Sequence, residues 1–543
     1  EMGLLTDPRT GTGKMIKFIL RREKLLCFLL YISGIIYTMM LAVPIFNDHT
    51  YFSENALLPG LVTKESNLDQ TSKQFYNELL DEMKRYPDTM PYAWLSAKFN
   101  QLHLDTFIHN FSLIYPFKQQ KFTGQNIYGI VRAPKAASTE AIVVSVPFRP
   151  INSVYLSTAP SVALLLALAK FCRKQKYWAK DIIFLVTEYE QLGMQAWLDA
   201  YHDVTSGQEG ILVAGDLSGH AGSIQAAINL ELHAMTITSI DVKVEGLNGQ
   251  LPNLDLFNLA QSMIVKEDIQ KTFQRRADST DTNKLKKWWY HFNTLMMMIA
   301  TQATGIPSGN HGLFHRYRFD NTGNGYEANF YQVGRVVESI VRSLNNLLER
   351  FHQSYFFYLL PSTDRYVSIS VYVRPLMLIV TSLFIKAFSI WRKLQVPVLR
   401  NDENNLQIQN VKVGIFLKYK ETLLLSVIVS MELATALICT AMCNFSLALL
   451  ATTVYVILVY ILWILLHPFI ASSIIILGYT YVHFPEKSLL SLIFSGYHAT
   501  KQAFVFSIID SMIYGNWFYS VTMTVMLPIW LLFWNIICLK STS

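Results

Sequence analysis

The sequence predicts two structural parts: an α/β domain with a mostly parallel central sheet and helices on both faces, and a membrane region of several α-helices. Hydrophobic residues make up 51% of the 543 residues and charged residues only 16%, below the roughly 25% usual for soluble proteins. Long uncharged stretches lie towards both ends of the chain, and short apolar strands alternate with helices between them. Alternation of this kind is typical of α/β domains.

The composition also excludes several functional classes. The net charge of +7 is modest, and basic residues cluster only beside the uncharged stretches, so nucleic acid is not an expected partner. The five cysteines form neither a CxxC motif nor a Cys/His cluster with zinc-ligand spacing. We therefore expect no disulfide framework and no cofactor.

The first uncharged stretch is Leu25–Asn47, which is long enough to cross a bilayer. Basic residues precede it and acidic residues follow it, so the positive-inside rule predicts a cytosolic segment 1–24 and a domain at 48–365 on the opposite side. The stretch lacks a small-x-small cleavage site, which favours a retained signal-anchor over a cleaved leader. A glycosylation sequon begins at Asn110 in the non-cytosolic domain.

Apolar segments return in the last third of the chain. Residues 366–391 form a second predicted span, and residues 392–420 form a polar linker that the topology places in the cytosol. About four further spans are predicted within 421–543, together with an amphipathic interfacial helix near 488–514. The total of six predicted spans returns the C-terminus to the cytosol.

Two charged residues fall inside predicted spans, Arg374 in the second and Glu432 in the third. A charge within the hydrocarbon layer is costly, so each should have a partner or reach water. We expect the two to pair with each other, with a partner subunit or with lipid phosphate. Snorkelling of Arg374 to the non-cytosolic surface is the alternative.

The α/β pattern is clearest around two continuous apolar runs, Ala141–Val146 and Asp181–Thr187, which are typical of strands buried on both faces. A predicted helix, Ser157–Arg173, separates them. The remaining predicted elements are helices Gln191–His202, Pro252–Val265, Lys286–Ala303 and Tyr331–Tyr358, and strands Ala226–Leu232 and Asp241–Glu245.

Polar residues follow several of these strands, at the sheet edge where α/β proteins place their sites. Glu188 and Glu190 follow the second strand, Glu231 follows the third, and His311 lies in a later loop. Two carboxylates at a strand end could act as an acid/base pair or as metal ligands. They could equally begin the next helix, where negative charge is favourable.

This arrangement resembles the zinc aminopeptidases of the M28 type. In that family a His-x-Asp ligand pair follows the first of these strands, whereas Phe148-Arg149 stands in that place here. The resemblance implies an M28-like fold that binds no metal and has no catalytic residue. The vestigial metal-site positions would be Arg149, Glu188, Glu190, Glu231 and His311.

A second resemblance extends over almost the whole chain. Several ordered segments are similar to the glycosylphosphatidylinositol (GPI) anchor attachment protein family: Met2–Pro8, Thr50–Ala56, Tyr128–Ala141, Tyr177–Glu188, Glu245–Leu256, Gly309–Arg318 and Trp530–Asn535. Members of that family have more spans than the number counted here, and the polar linker at 392–420 stands where the additional pair is expected.

The second resemblance implies a non-catalytic, M28-like subunit of GPI transamidase in the endoplasmic reticulum membrane. The large domain would be lumenal and both termini cytosolic. The implied partners are a caspase-like cysteine protease that performs the chemistry, other multispan subunits, the GPI glycolipid and precursor proteins with C-terminal GPI signals. The implied role is to scaffold the complex and position the GPI lipid.

A candidate glycolipid site follows the first span. Tyr51, Ser53, Glu54 and Asn55 lie at the height of the lipid headgroups, where Glu54 could meet an ethanolamine ammonium and the other three could bond phosphate or sugar. The alternative interpretation is an interfacial aromatic belt with Ser53 as a helix N-cap.

Two other functions remain open. One is a membrane-bound M28-type metallopeptidase or a metal-dependent peptide synthetase, in which Glu188 or Glu231 would be essential. The other is a lipid transporter, which the absence of repeated halves with matching broken helices disfavours.

Overall fold

The computed structural model describes residues 18–59, 66–117, 120–134, 139–279, 282–306, 309–313, 317–321, 328–347, 356–394, 424, 427, 431, 433–462 and 489–523. The chain divides into two compact units. One contains residues 42–368 together with 509–516, and the other contains the N-terminal 41 residues with 369–508 and 517–543.

The unit built on residues 42–368 contains a nine-stranded sheet, a three-stranded sheet and a two-stranded sheet among its described residues. In chain order the strands are β1 (Asp48–His49), β2 (Asp105–Ile114), β3 (Lys121–Val131), β4 (Glu140–Pro147), β5 (Asp181–Thr187), β6 (Leu212–Val213), β7 (Ser223–Glu231), β8 (Thr236–Ile237), β9 (Ser239–Lys243), β10 (Gln270–Thr272), β11 (Tyr317–Asn321), β12 (Ala328–Asn329), β13 (Tyr358–Ser362) and β14 (Arg365–Ser368).

The large sheet is mixed rather than mostly parallel, which corrects the sequence prediction. Its order is β10-β9-β11-β7-β4-β5-β3-β2-β6. Strands β11, β7, β4 and β5 are parallel neighbours, but β3, β2 and β6 continue the sheet in antiparallel pairings. The β2–β3 pairing is antiparallel because a short connection joins the two strands, and such a connection permits only an antiparallel neighbour.

Helices cover both faces of this sheet, as predicted. Val143, Ile183 and Leu185 pack against Met194 and Trp197 of one helix. The alternate strand residues point to the opposite face and are equally buried, so that face is covered too. The other unit contains α1 (Glu23–Met40). The helices of this unit follow it in chain order: α2 (Asp69–Arg85), α3 (Tyr92–Gln101), α4 (Ala159–Lys174), α5 (Gln191–His202), α6 (Leu254–Lys266), α7 (Lys284–Thr304) and α8 (Phe330–Asn345).

Two predicted boundaries change at the hairpin formed by β13 and β14. The predicted helix Tyr331–Tyr358 ends at Asn345, and Tyr358 begins a strand instead. The predicted span at 366–391 becomes a helix that starts at Ile369. Tyr358 and Leu359 pair with Ser368 and Val367 across the hairpin, which accounts for the strand at Tyr358 and for the later start of the helix at Ile369.

The second unit contains the apolar helices. Among the described residues, α1 (Glu23–Met40) and α9 (Ile369–Leu394) include the two stretches long and apolar enough to cross a membrane. Gly34 lets the two helices approach closely, since a Cβ there would lie 2.5 Å from Ile379 Cγ1. Tyr31 Oη also donates to the Thr453 carbonyl (2.9 Å). Small residues at such contacts are typical of membrane helix pairs.

The remaining predicted membrane segments are described only in part. Helix α10 (Leu433–Cys443) lies in the third predicted span and α11 (Phe445–Leu462) in the fourth. Helix α12 (Leu489–Tyr514) covers the segment of the predicted interfacial helix. The linker beyond residue 394 and the chain after residue 523 lie outside the described residues.

The intramembrane charge pair stays a prediction. Arg374 Nη1 donates to Tyr37 Oη (3.3 Å) within the apolar unit. Its proposed partner Glu432 lies outside the described residues.

Candidate functional site

An open cleft of about 1120 Å³ lies beyond the carboxyl ends of β4 and β5. Two of the residues singled out from the sequence line this cleft: Arg149, which follows β4, and Glu188, which follows β5. Charged groups and exposed apolar groups share its wall. The wall includes Arg149, Tyr155, Leu156, Glu188, Tyr189 and Glu190.

A buried ion cluster forms one wall of the cleft. Arg149 Nε and Nη2 donate to the two carboxylate oxygens of Glu190, at 2.8 and 3.2 Å. Arg149 Nη2 also donates to Glu231 Oε2 (2.8 Å). The guanidinium therefore joins the ends of β4, β5 and β7 through one side chain. Forked contacts of this kind are among the strongest that an arginine makes.

The cluster is held by further groups on both sides. Glu231 Oε1 accepts from Asn229 Nδ2 (3.0 Å), and Arg149 Nη1 donates to the Leu156 carbonyl (3.3 Å). Arg149 is only 7% exposed and Glu231 1%. Burial disfavours the charge of Arg149, but the hydrogen bonds and charges of Glu190 and Glu231 outweigh it and raise the pKa of the guanidinium. The arginine therefore remains a fixed cation.

Glu188 points to a different set of partners. Its Oε2 accepts from the Gln125 backbone N–H (2.8 Å), and Tyr92 donates a hydrogen bond to the same carboxylate. Burial, together with that carboxylate, raises the pKa of Tyr92. Glu188 is therefore bound to β3 and α3, apart from the arginine cluster.

The turn between Glu188 and Gly193 is strained. Tyr189 and Glu190 both have positive φ angles, 55° and 50°, and Glu190 combines its φ with a ψ of −120°. Each such conformation costs about 1–3 kcal/mol and persists only where the surroundings enforce it. Here the strain directs the Glu190 carboxylate to Arg149.

A buried polar network enforces that turn. Asn126 Nδ2 donates to the Gly193 carbonyl (2.7 Å), and Asn126 Oδ1 accepts from the Glu188 backbone N–H (3.0 Å). His109 Nδ1 lies 3.1 Å from Asn126 Nδ2, while its Nε2 faces the Ala214 carbonyl. A carbonyl can only accept, so Nε2 carries the proton and Nδ1 accepts from Asn126. His109 must therefore be neutral.

His311 is not part of the arginine cluster. It is fully buried in a short 3₁₀ helix, Asn310–Leu313, and its Nε2 lies 3.8 Å from Glu245 Oε1. Asn310 Nδ2 donates to Thr187 Oγ1 (3.0 Å), so this helix supports the end of β5. Ser308 lies outside the described residues.

The residues of the cleft do not fit a metal ion. Arg149 holds a permanent positive charge against Glu190 and Glu231, which compensates one of their two negative charges and repels a metal cation from the carboxylates. Within the described ranges, no group of three or more His, Cys, Asp or Glu side chains could hold a metal. Arginine carries no lone pair for coordination.

The segment after the first span is bound to α6. Asp255 accepts from the Ser53 backbone N–H (3.0 Å), from Ser53 Oγ (2.7 Å) and from the Glu54 backbone N–H (2.9 Å). Asn258 Nδ2 donates to the Tyr51 carbonyl (2.8 Å). Ser53 is therefore not an N-cap: its hydroxyl binds Asp255, and Glu54 is the residue that precedes the short helix at Asn55–Leu57.

The side chains of this segment differ in their exposure to solvent. Glu54 is buried, whereas Tyr51 and Asn55 are exposed. The Tyr51 ring lies 6.1 Å from the Tyr366 ring. Asn110 is exposed as well, although it lies inside strand β2, and its glycosylation stays a prediction.

Sequence reasoning missed the residues that hold these groups in place. His109, Asn126 and Asp255 lie far along the chain from the residues that they bind, and none belongs to a short motif. A pattern could have suggested Asn126 only as the last polar residue before the apolar part of β3 that begins at Ile127.

Two comparisons by sequence identify similar proteins. A family model described as "Gaa1-like, GPI transamidase component" matches residues 123–417 and 405–534. The chain is 30% identical over 366 residues to the GPI transamidase component gaa1 of Schizosaccharomyces pombe, a match that covers 63% of this chain and 60% of that protein. It is 31% identical over 340 residues to GAA1 of Saccharomyces cerevisiae, covering 60% and 50%. The matches thus span little more than half the length of these relatives.

Solved structures with similar coordinates are enzymes of low sequence identity. A Porphyromonas gingivalis glutaminyl cyclase matches with a TM-score of 0.32 and 15% identity, covering 52% of this chain and 99% of that one. A zinc aminopeptidase from Bacillus subtilis matches with a TM-score of 0.33 and 11% identity, covering 51% and 96%.

We expect Arg149→Leu to destabilise the full chain by about 3–5 kcal/mol, because it leaves the buried Glu231 carboxylate without its guanidinium partner. Adding Glu231→Gln should recover part of the loss. Arg85→Leu is the matched control, since Arg85 pairs with Glu82 at the surface and such pairs contribute about 1 kcal/mol or less. Thermal unfolding of the detergent-solubilised chain measures all three. Equal effects of Arg149→Leu and Arg85→Leu would contradict the ion cluster.

A pH dependence follows from His109. Burial lowers its pKa, and the bond to the Ala214 carbonyl only partly opposes this effect. The unfolded chain binds the proton more readily, so this contribution to stability is present above about pH 6.5 and is lost as the pH falls towards the folded pKa. His109→Gln should flatten the decline of melting temperature on acidification. His220→Gln, at an exposed position, should leave it unchanged, and identical profiles for wild type and His109→Gln would contradict the assignment.

Proposed function

Since the chain belongs to the Gaa1-like family of GPI transamidase components, we propose that it is a non-catalytic subunit of GPI transamidase. In this proposal it scaffolds the complex and positions the GPI lipid while GPI anchors are attached to precursor protein C-termini. Relatives with the name GPI transamidase component in two yeasts support the assignment.

One observation carries the non-catalytic part of the proposal: the Arg149 guanidinium is ion-paired with Glu190 and Glu231 in the cleft. Metal-assisted hydrolysis needs a cation with an open coordination position that can activate water. A guanidinium has neither property. Glu190 and Glu231 are also held as hydrogen-bond acceptors, so neither is placed to exchange a proton with a substrate. These points disfavour the metallopeptidase and peptide synthetase alternatives.

The same proposal assigns the chemistry to another chain. A caspase-like cysteine protease would cleave the precursor, and further multispan subunits would complete the complex. The domain at 48–365 would lie in the lumen of the endoplasmic reticulum, with both chain termini in the cytosol. The two apolar helices that could span a membrane support a membrane location, and the basic residues before α1 support the orientation.

GPI binding is proposed at the segment Tyr51–Asn55. Asp255 fixes its backbone at two successive amides, so the segment is ordered before any ligand arrives. Such preorganisation lowers the entropic cost of binding. Tyr51 and Asn55 present exposed polar side chains to a phosphate or sugar, whereas Ser53 and the backbone of Glu54 hold the segment in place. Ser53 is thus a positioning residue in this scheme.

Glu188→Gln tests the absence of catalysis. Glutamine keeps the size of the side chain and an oxygen that can accept from Gln125 and Tyr92, so the fold should persist. We expect cells that depend on this variant to display a GPI-anchored reporter at the level of wild type. Abolished display, with the variant still present in the complex, would contradict the proposal and favour an acid/base role for Glu188. If both display and the abundance of the variant fall, thermal unfolding of the purified variant measures whether the substitution has destabilised the fold.

Ser53→Leu tests the glycolipid segment. Leucine removes the hydroxyl that donates to Asp255 and places a branched apolar group at a half-buried position, so we expect reduced surface display of the reporter and unchanged co-purification of the other subunits. Ser53→Thr keeps the hydroxyl and should retain display. Asp255→Asn weakens the same charge-assisted contacts and should reproduce the defect. Normal display by Ser53→Leu would remove this segment from the proposal.

A further inference from the structure

The N-terminal half of helix α7 has an unusual distribution of charge. Lys284, Lys286 and Lys287 all lie in its first turn or just after it, and all three are exposed. Positive charge at a helix N-terminus opposes the helix dipole and lowers helix stability. The helix has a regular N-cap, because Asn283 Oδ1 accepts a hydrogen bond from the Leu285 backbone N–H (3.0 Å). The lysines therefore do not serve the stability of the helix.

Large apolar side chains stand exposed between these lysines and beyond them. Leu285 is 75% exposed and Trp289 53%. Trp289 belongs to an aromatic cluster, with ring centroids 5.9 Å from Trp288 and 5.8 Å from Phe292. Tyr290 is covered by the Arg276 guanidinium, 3.9 Å from the ring centroid. Aromatic side chains beside basic ones are typical of protein surfaces at a bilayer interface.

This helix is bound to the hairpin that leads into the membrane. His291 Nδ1 lies 3.2 Å from the Pro361 carbonyl in β13. The partner strand β14 ends at Ser368, and the candidate span begins at the next residue, Ile369. A hairpin joined directly to a membrane helix must lie within a few residues of the headgroup layer.

The same hairpin is fixed to the exit of the first candidate span. Arg365 in β14 donates to the Pro44 carbonyl (3.3 Å), to the Asn47 carbonyl (3.0 Å) and to Asn47 Oδ1. Strand β1 pairs with β14 at His49 and Arg365. Exposed apolar residues surround these segments: Ile45, Phe356 and Phe357.

We propose that the exposed N-terminal end of α7, defined by Lys284, Leu285, Lys286, Lys287 and Trp289, rests on the non-cytosolic surface of the bilayer. Its partner is the headgroup layer of anionic phospholipid. The lysines meet phosphate and carboxylate groups, and Leu285 and Trp289 enter the boundary between headgroups and acyl chains. This contact does not depend on the proposed function.

A photo-crosslinking experiment with the full chain tests the contact. Benzoylphenylalanine replaces Trp289 in one variant and Tyr155 in another, and each protein is reconstituted in bilayers of phosphatidylcholine with phosphatidylserine. Tyr155 is a matched control because it is also an exposed aromatic residue, but it lies in the loop beside the cleft. After illumination, mass spectrometry measures lipid adducts at the two positions. We expect adducts at position 289 and few at position 155.

A charge-deletion arm separates electrostatic binding from simple proximity. Replacing Lys284, Lys286 and Lys287 by glutamine should lower the adduct yield at position 289 at least about fivefold in bilayers with phosphatidylserine. The yield in phosphatidylcholine alone should not change. Folding is monitored by the melting temperature, which we expect to be unchanged or higher because the helix dipole is relieved.

Three results would overturn the proposal. They are equal lipid labelling at positions 289 and 155, no effect of the three glutamines in anionic bilayers, and crosslinks from position 289 to another protein in native membranes. The last result would identify this end of α7 as a subunit contact.

Discussion

The Arg149 guanidinium, held between Glu190 and Glu231, is the interaction on which the cleft depends. Three strands of the central sheet end at this point, and each brings a charged side chain to it. Arg149 and Glu231 are buried, whereas the Glu190 side chain is 31% exposed. Carboxylates this close repel each other and need a compensating positive charge. The arginine supplies that charge within the chain itself by pairing with both carboxylates, so the strand ends can meet without a ligand. The strained turn at Tyr189 and Glu190 is tolerated because this pairing and the Asn126 network hold it.

Much of the central architecture could be predicted because buried strands and helices have recognisable patterns of apolar residues in the sequence. Asp181–Thr187 and Gln191–His202 have the predicted bounds, since a fully buried strand and the helix after it have distinct patterns. Strands β2 and β3 were missed because they mix polar and apolar residues. The hairpin at Tyr358–Ser368 was misread because its apolar residues continue the patterns on both sides, and strand pairing depends on partners that periodicity does not reveal.

The sequence predicted where the candidate site lies in the fold, but not which side chains contact one another there. Arg149, Glu190 and Glu231 were found because parallel strands place their carboxyl ends at one edge. Sequence could not show that the Glu188 carboxylate binds the Gln125 backbone, or that His311 lies beside Glu245.

The Ser53 hydroxyl illustrates the same limit. A serine before a helix favours N-capping, yet here the hydroxyl donates to the charged carboxylate of Asp255, about two hundred residues away along the chain. Long-range partners override local preference when they are charged.

Stability alone does not explain why the ion cluster exists. Buried ion pairs are costly to desolvate, and apolar replacements of similar shape are often neutral or stabilising. The strained backbone at Glu190 adds about 1–3 kcal/mol of further cost. What the cluster provides, and an apolar core would not, is a polar wall with fixed geometry beside the exposed side chains of Tyr155, Leu156 and Tyr189. Under the proposed non-catalytic role, a fixed polar wall with an apolar rim would serve as a binding surface.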